Sequence, residues 1–405
     1  MRKHFFHVTC VVIVLFGMFA CESEPDLDTT LKFSKLSVED QKQKIEQSGI
    51  EFIEAMENMK TTQVFTTMED FMLESNMMGV PHMQYIKTAM ESTDVKTLST
   101  LDRQLRMAAA NEDVWGEYNW NAELQDFEKV AELTNKIIVR FPSSSTDNTN
   151  ASELTINYSA STVKMPDSEE FYPSSITCVL KINGKTEFEA DFSGEYKTDG
   201  TPTKANHSME MGDYKWTASL TNSTTELSQD YEFKYQTKTM VKSSISLKGD
   251  LTVGAARNSE GPDDIITYCS VNFQLMDVAI IGGIKDVKTF SELLEIINDA
   301  DEKAYFEEVS DVLNTHLIAY AYFVKDKAKF ADIEFFVLED TYTWTEWSFN
   351  DQGELVETEM QETYHDLVPR FVLSDGSKTE IPDYFTTGFD SLAAKLQELM
   401  GEYNY

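Results

Sequence analysis

From Leu154 to Leu251 apolar residues fall at every second position in one run after another, and most runs end at a turn signal. A side-chain period of two belongs to a β-strand with one face on a core and the other in water. Leu154, Ile156 and Tyr158 alternate with polar residues, and Ile176, Cys178, Leu180 and Ile182 do the same. The second run meets Asn183-Gly184, a dipeptide suited to the positive φ angles of a two-residue hairpin. Phe188, Ala190 and Phe192 alternate on the return, and Asp199-Gly200 and Gly212-Asp213 mark further turns. Met209/Met211 precede the second of these and Tyr214/Trp216/Ala218/Leu220 follow it. Tyr231, Phe233 and Tyr235 continue the series, as do Ile245, Leu247 and Leu251. Two-residue turns join only antiparallel neighbours. The chain must therefore build a meander, not a parallel sheet with crossover helices.

The flanks carry helical periods. Ser37-Val38-Glu39-Asp40 resembles a capping box, followed by Ile45, Gly49, Phe52, Ile53, Met56 and Met59 at helical spacing. A second helix is expected over Val64–Glu74, with more helical pieces to about Asn111. Eight of the 18 Met lie between Met56 and Met90, which suits a Met-filled helical core or an adaptable binding groove. Trp115–Asn121 reads as strand-like, Ala122–Leu133 as a short helix, and Lys136–Phe141 as a strand ending at Pro142. Downstream, Gly254–Asp264 reads as a loop and Ile265–Ile280 as one long strand. Thr289-Phe290-Ser291-Glu292 reads as a capping box that starts a helix, and a further helix covers Glu302–Leu313. Strands are expected at Leu317–Val324, Ile333–Leu338, Tyr342–Phe349, Leu355–Tyr364 and Phe371–Ser374. Asp383 could cap a last helix bearing Phe389, Leu392, Leu396 and Met400. The expected fold is α+β: a helical N-terminal part packed on an extensive, curved antiparallel β-sheet, with later helices capping it. Its divisions are a signal peptide over 1–20, an acidic tether over 21–35, a helical region over 36–112, and a β-rich region over 113–405 with helices near 290–313 and 384–400.

The first 28 residues carry an address. Arg2 and Lys3 precede an apolar run, Val8–Ala20, that is too short to span a bilayer comfortably and reads as a signal-peptide core. Small Ala20 is followed by Cys21, and Glu22-Ser23-Glu24-Pro25-Asp26 is polar and acidic. The segment resembles a bacterial lipoprotein signal, departing from the usual pattern at Met18 and Phe19. The resemblance implies that Cys21 becomes the first mature residue and carries acyl chains, palmitate among them. Several acyl chains anchor stably where one does not. The acidic run after Cys21 resembles the export signal of Bacteroidetes-type surface lipoproteins, which implies an outer-membrane lipoprotein, surface-exposed or periplasmic-facing. A plain cleaved secretory signal and an acidic solvated linker are the alternatives.

Charge and cysteine usage agree with that address. With 70 acidic and 34 basic side chains the net charge is -36, and loss of Arg2 and Lys3 with the signal takes it to -38. Nucleic acid is excluded as a partner, because neutralising phosphates requires clustered Lys and Arg. Anionic lipid would repel such a body, so the membrane is expected as a partner only through the acyl chains. A protein or glycan partner is left open. Cys178 and Cys269 remain in an oxidising compartment, both in phase with the apolar face of their strands. They are a candidate disulfide or two buried thiols, since spacing alone does not give their separation.

A wider resemblance covers about a third of the chain. Gly116–Asn121, Phe141-Pro142, Asn183-Gly184 and Asp199–Pro202 are similar to elements of large uncharacterised Bacteroidetes-type lipoproteins. It implies no activity.

No catalytic motif stands out, and no catalytic residue, cofactor or metal ligand is assigned. His82, His207, His316 and His365 form no zinc-ligand spacing, and no nucleophile elbow, phosphate loop or EF-hand pattern is present. Asp263-Asp264 and Asp299/Asp301/Glu302 are compact acidic groups without calcium-loop spacing. Glu346 lies between Trp344 and Trp347, an acid beside aromatic faces on which a sugar could stack. Trp115, Tyr118 and Trp120 could form a similar platform or simply pack in the core. The expected function is a lipid-anchored, non-catalytic binding or structural protein. A carrier of lipid or another hydrophobic ligand, and a glycan-binding accessory protein or hydrolase, are the alternatives. A carrier needs an apolar cavity between sheet and helices; the glycan reading needs Trp344 or Trp347 exposed and coplanar beside a groove.

Overall fold

A computed structural model describes residues 27, 30–59, 61–65, 67, 115–124, 126–144, 147–165, 171–259, 261–298, 301–349, 352 and 355–402. The signal, Cys21, His82 and most of the expected helical region beyond residue 67 lie outside these residues.

The first helix, α1 (Val38–Met59), starts where Ser37 predicts it: the Asp40 N–H donates to Ser37 Oγ, and the hydroxyl donates back to the Asp40 carboxylate. The strands follow in chain order as β1 (Gly116–Asn121), β2 (Asp126–Glu132), β3 (Lys136–Phe141), β4 (Ser152–Lys164), β5 (Phe171–Ile182) and β6 (Lys185–Tyr196). Next come β7 (Pro202–Met211), β8 (Tyr214–Asn222), β9 (Glu226–Tyr235) and β10 (Lys238–Gly249). A short helix, α2 (Val253–Asn258), and the turn Pro262–Asp264 lead to β11 (Ile266–Leu275) and β12 (Val278–Ile284). Helices α3 (Val287–Glu295) and α4 (Glu302–His316) precede β13 (Leu317–Phe323), β14 (Ala328–Phe349), β15 (Leu355–Val372) and β16 (Lys378–Glu380). Helices α5 (Ile381–Tyr384) and α6 (Asp390–Glu402) close the described chain.

All sixteen strands form one sheet in the order β16 through β3 and then β1 and β2. Every neighbouring pair is antiparallel except β1 with β3. The expected sheet-rich, antiparallel α+β fold is therefore present, with one parallel pair near the edge.

Alternation divides the sheet into two faces. One is apolar: Val139, Leu154 and Leu180 align across β3–β5, and Trp216, Phe233, Val241 and Leu275 across β8–β11. Helix α1 lies across this face. Val38 and Ile45 pack with Phe323, Phe330 and Phe371; Phe52, Ala55 and Met56 pack with Tyr214, Phe233 and Met240; Met59 and Val64 reach the β3–β7 core. A 22-residue helix is about 33 Å long, and six strand spacings from β14 to β8 span about 29 Å. The helix thus runs across the strands, over their hairpin turns. Polar ties fix it there: Tyr214 OH donates to the Ala55 carbonyl at 2.6 Å, and Glu51 pairs with Lys238. Lys44 reaches buried Asp277 at 2.9 Å and Asp326 at 2.5 Å. Gly49 lets α6 approach, because a Cβ there would lie 2.8 Å from Leu392 Cδ2. Helices α3 and α4 cover the same face farther along, where Phe290, Val309 and Leu313 pack with Phe335 and Leu367.

Several expectations need correction. Asp126–Glu132, expected as helix, is strand β2 on the sheet edge, since pairing with β1 overrides its helical propensity. Ile265–Ile280 is two strands joined at Met276-Asp277, with Met276 at φ 55°. Part of the expected loop 254–264 is helical, and Asp286, not Thr289, caps α3 by accepting from the Thr289 N–H. The disulfide is absent. Cys178 sits on β5 and Cys269 on β11, six strand spacings or about 29 Å apart as measured along the sheet, and both are free thiols. Burial pushes Cys178 up to about 12 and raises Cys269 too, so neither is poised to react.

Candidate functional site

The other face of the sheet is polar over β5–β10, and register turns its polar residues into rows. Ser175, Ser193, Asn206, Ser219, Asp230 and Ser244 are successive cross-strand partners from β5 to β10. Two residues along each strand, Thr177, Asp191, Ser208, Thr217, Glu232 and Lys242 form a second such row. Alternation in each strand puts these side chains on the face opposite the core. The members from β5 to β9 floor a groove of about 650 Å³.

Neighbours in the rows satisfy one another in part. Asn206 Nδ2 donates to Ser193 Oγ at 3.2 Å, and Ser219 Oγ donates to Asp230 Oδ2 at 2.7 Å. Asp230 Oδ1 is buried without a hydrogen-bond partner, so one of its acceptors is unsatisfied. Burial raises the Asp230 carboxyl to about 6, against the pull of Lys242. Glu232, two residues away on the same face, goes the other way. Burial alone would raise it, but hydrogen bonds from Lys234 at 2.6 Å and Thr239 at 2.8 Å outweigh that and hold it low. Such a surface offers many hydrogen-bond acceptors and hydroxyl donors, few cations and no exposed ring.

The residues singled out in the sequence lie elsewhere. Trp115 is in the core against Tyr158, with Tyr118 and Trp120 packed on the same cluster. Trp344 and Trp347 are on the β14–β15 hairpin and point to opposite faces. Trp344 is half-buried and stacked on Tyr342, with 5.7 Å between centroids, whereas Trp347 is 59% exposed. They form no coplanar platform, and Glu346 is exposed on the Trp344 face opposite Thr358. His207 is on the apolar face, its Nδ1–H donating to the Asp191 carbonyl at 3.1 Å, and burial lowers its pKa. His365 lies between Glu302 and Glu339 at 3.1 and 3.4 Å, and Glu302 first among its neighbours raises its pKa. Asp301 caps α4 and Asp264 accepts from the Gly261 N–H. Among the described residues no three His, Cys, Asp or Glu converge to hold a metal ion, and no helix is long and apolar enough to cross a membrane.

Sequence reasoning missed the rows. Asp230 and Glu232 alternate with the apolar Tyr231 and Phe233, so their face was legible, but their cross-strand partners depend on turn lengths. Comparison with protein-family models, curated proteins and solved structures finds no match.

Proposed function

We propose that this chain is an extracytoplasmic lipoprotein, held to the outer membrane by acyl chains on Cys21, whose body acts by binding. The observation that carries the binding reading is the aligned rows of hydroxyl, amide and carboxylate groups that floor the groove. A hydroxyl-rich ligand such as a glycan chain matches them, because each ligand hydroxyl can donate to a carboxylate and accept from a Ser or Thr. The finer architecture is part of the same reading: a helical N-terminal part over 36–112 laid on a curved sheet, with α1 as its first member and α3, α4 and α6 capping the rest.

In this reading the start of the described chain sets the length of the leash. Leu27 and Leu31 pack on the polar side of the sheet against Ile281 and Tyr320, and Phe33 bridges to Lys329 in parallel. Gly283 makes the seat, since a Cβ there would lie 2.8 Å from Leu27 Cδ1. Five residues separate Cys21 from Leu27, so the leash of six Cα-to-Cα steps reaches at most about 20 Å. The carrier reading has less support, because apolar side chains of three clusters pack between α1 and the sheet, and the space of about 900 Å³ beside α1 is lined largely by polar and charged groups such as Lys44, Glu51, Lys238 and Asp277.

A hydrolytic reading has one observation in its favour. Asp230 and Glu232 stand about 6.8 Å apart along one strand, with carboxyls pushed in opposite directions. The Lys234 and Thr239 bonds occupy Glu232, which is why binding is preferred. Calorimetry with soluble neutral oligosaccharides tests both. Binding that disappears in the Asp191→Ala/Asp230→Ala variant is the expected result, and failure of every oligosaccharide to bind overturns the groove reading. Turnover of a bound oligosaccharide that is abolished by Asp230→Asn would replace binding with hydrolysis.

A further inference from the structure

The β14–β15 hairpin outgrows the sheet. Strand β13 pairs with β14 only as far as Asp332, and β16 pairs with β15 only over Arg370–Val372. Helix α4 supports the next stretch through Phe335 and Leu367, and Lys303 pairs with Glu339 at 2.9 Å. From Asp340↔Tyr364 outward to Phe349↔Leu355, ten cross-strand pairs touch no other strand among the described residues. This arm extends about 34 Å at the rise of a β-strand. A two-stranded ribbon is marginal in water by itself, and a free strand edge is a template for another strand.

Its chemistry is one-sided. Between Glu339 and Asp366 there are nine carboxylates and no Lys or Arg. On β15 the two sides differ near the tip: Glu357 and Glu359 share one side with Leu355, while Val356, Thr358 and Met360 face the other beside Trp344 and Glu346, and Glu362 and Tyr364 follow on that second side beside Tyr342 and Asp340. Tyr342 is 60% exposed, and Leu355, Val356 and Tyr364 are exposed too. Carboxylates along an edge repel a second acidic arm and admit a strand of opposite charge. With a net charge of -36, a second copy is a poor occupant. A bilayer is also a poor one, because the tip sequence Asn350-Asp351-Gln352-Gly353-Glu354 is polar and acidic.

We propose that the outer edge of β15 in this arm is a strand-addition site for a protein partner whose extended segment alternates Lys or Arg with apolar residues. Added antiparallel or parallel, such a segment places its cations beside Glu357 and Glu359 and its apolar side chains beside Val356 and Met360. Main-chain hydrogen bonds would supply affinity and the alternation would supply specificity. The inference concerns a different surface from the groove and stands without it.

The test uses the soluble mature protein with Cys21→Ser and an end-blocked octapeptide of four Lys-Val repeats. Its comparator is four Lys followed by four Val. The alternating peptide should bind at least tenfold more tightly than the block peptide. That binding should weaken at least tenfold in Glu357→Lys/Glu359→Lys and vanish when residues 342–362 are replaced by Asn-Gly. An unchanged melting curve shows that the shortened protein is folded, and the double charge variant keeps the test valid if it is not. Equal binding of both peptides, binding that survives loss of the arm, or no binding at all overturns the proposal. Arm-dependent dimers in sedimentation, or arm-dependent pelleting with phosphatidylcholine vesicles, overturn it in favour of a second copy or a membrane.

Discussion

Leu27→Ala should loosen the leash without unfolding the body. Leu27 is 4% exposed, seated over Gly283 with Ile281 and Tyr320 around it. The change removes three carbons from that seat, which at about 0.8 kcal/mol per buried carbon weakens docking by about 2.4 kcal/mol. That corresponds to roughly a fiftyfold rise in the detached population, at 1.4 kcal/mol per decade. Detachment must also release the Lys32 carbonyl from the Lys329 N–H (2.9 Å) and the Ser34 N–H from the Lys329 carbonyl (2.6 Å). Tryptic cleavage after Lys32 reports it, provided reattachment outpaces cleavage. The initial rate should rise by one to two orders of magnitude, while the global unfolding midpoint moves little. The leash would then run free to Val38, and its reach would grow from about 20 Å to roughly 55–60 Å. A rise below threefold would refute the seat. So would a global stability loss equal to the full 2.4 kcal/mol, because the segment would then come away only with the sheet.

Other outcomes follow from the same geometry. Asp277→Ala should cost about 2–3 kcal/mol in chemical denaturation: it removes a buried partner of Lys44 and the acceptor of the Lys325 N–H (2.8 Å), although Asp326 still holds Lys44. A loss below 0.5 kcal/mol would mean that this tie does not fix α1. Asp230 is raised to about 6 in the folded protein, so its stabilising effect is full below about 4 and fades as pH rises through 6. Asp230→Asn should therefore gain about 1 kcal/mol at pH 7, after allowance for solvent screening, and flatten the stability profile between pH 4 and 6 relative to the unsubstituted protein. An unaltered pH profile would contradict the raised carboxyl. In the Cys21→Ser protein two thiols should titrate after denaturation without reductant and none should react quickly when folded. Zero thiols after denaturation would indicate a bridge.

Local signals in the sequence reached as far as local physics decides. Asn183-Gly184 adopts φ 52° and 80°, and Gly212 φ 56°, so the hairpins with turn-favouring residues were legible. The Met276-Asp277 turn was not, because Met at φ 55° carries no turn signal and two apolar strands ran together across it. Phe127, Lys129 and Ala131 alternate as a strand requires, yet the surrounding residues favour helix and only the pairing with β1 decides. The phase of Cys178 and Cys269 placed both on the apolar face correctly, whereas their separation depends on strand order. Strand β14 was read as two short strands, Ile333–Leu338 and Tyr342–Phe349, since Glu339-Asp340-Thr341 interrupts the apolar alternation that marks a half-buried strand. The polar rows needed the register of five successive hairpins, which no single strand specifies.

The most direct test of the account is mass spectrometry of the mature N-terminus from the membrane fraction. The expected result is an N-terminal peptide beginning at Cys21 and carrying diacylglyceryl and further acyl mass. A mature chain that begins at another residue, or a Cys21 with an unmodified thiol, would contradict it.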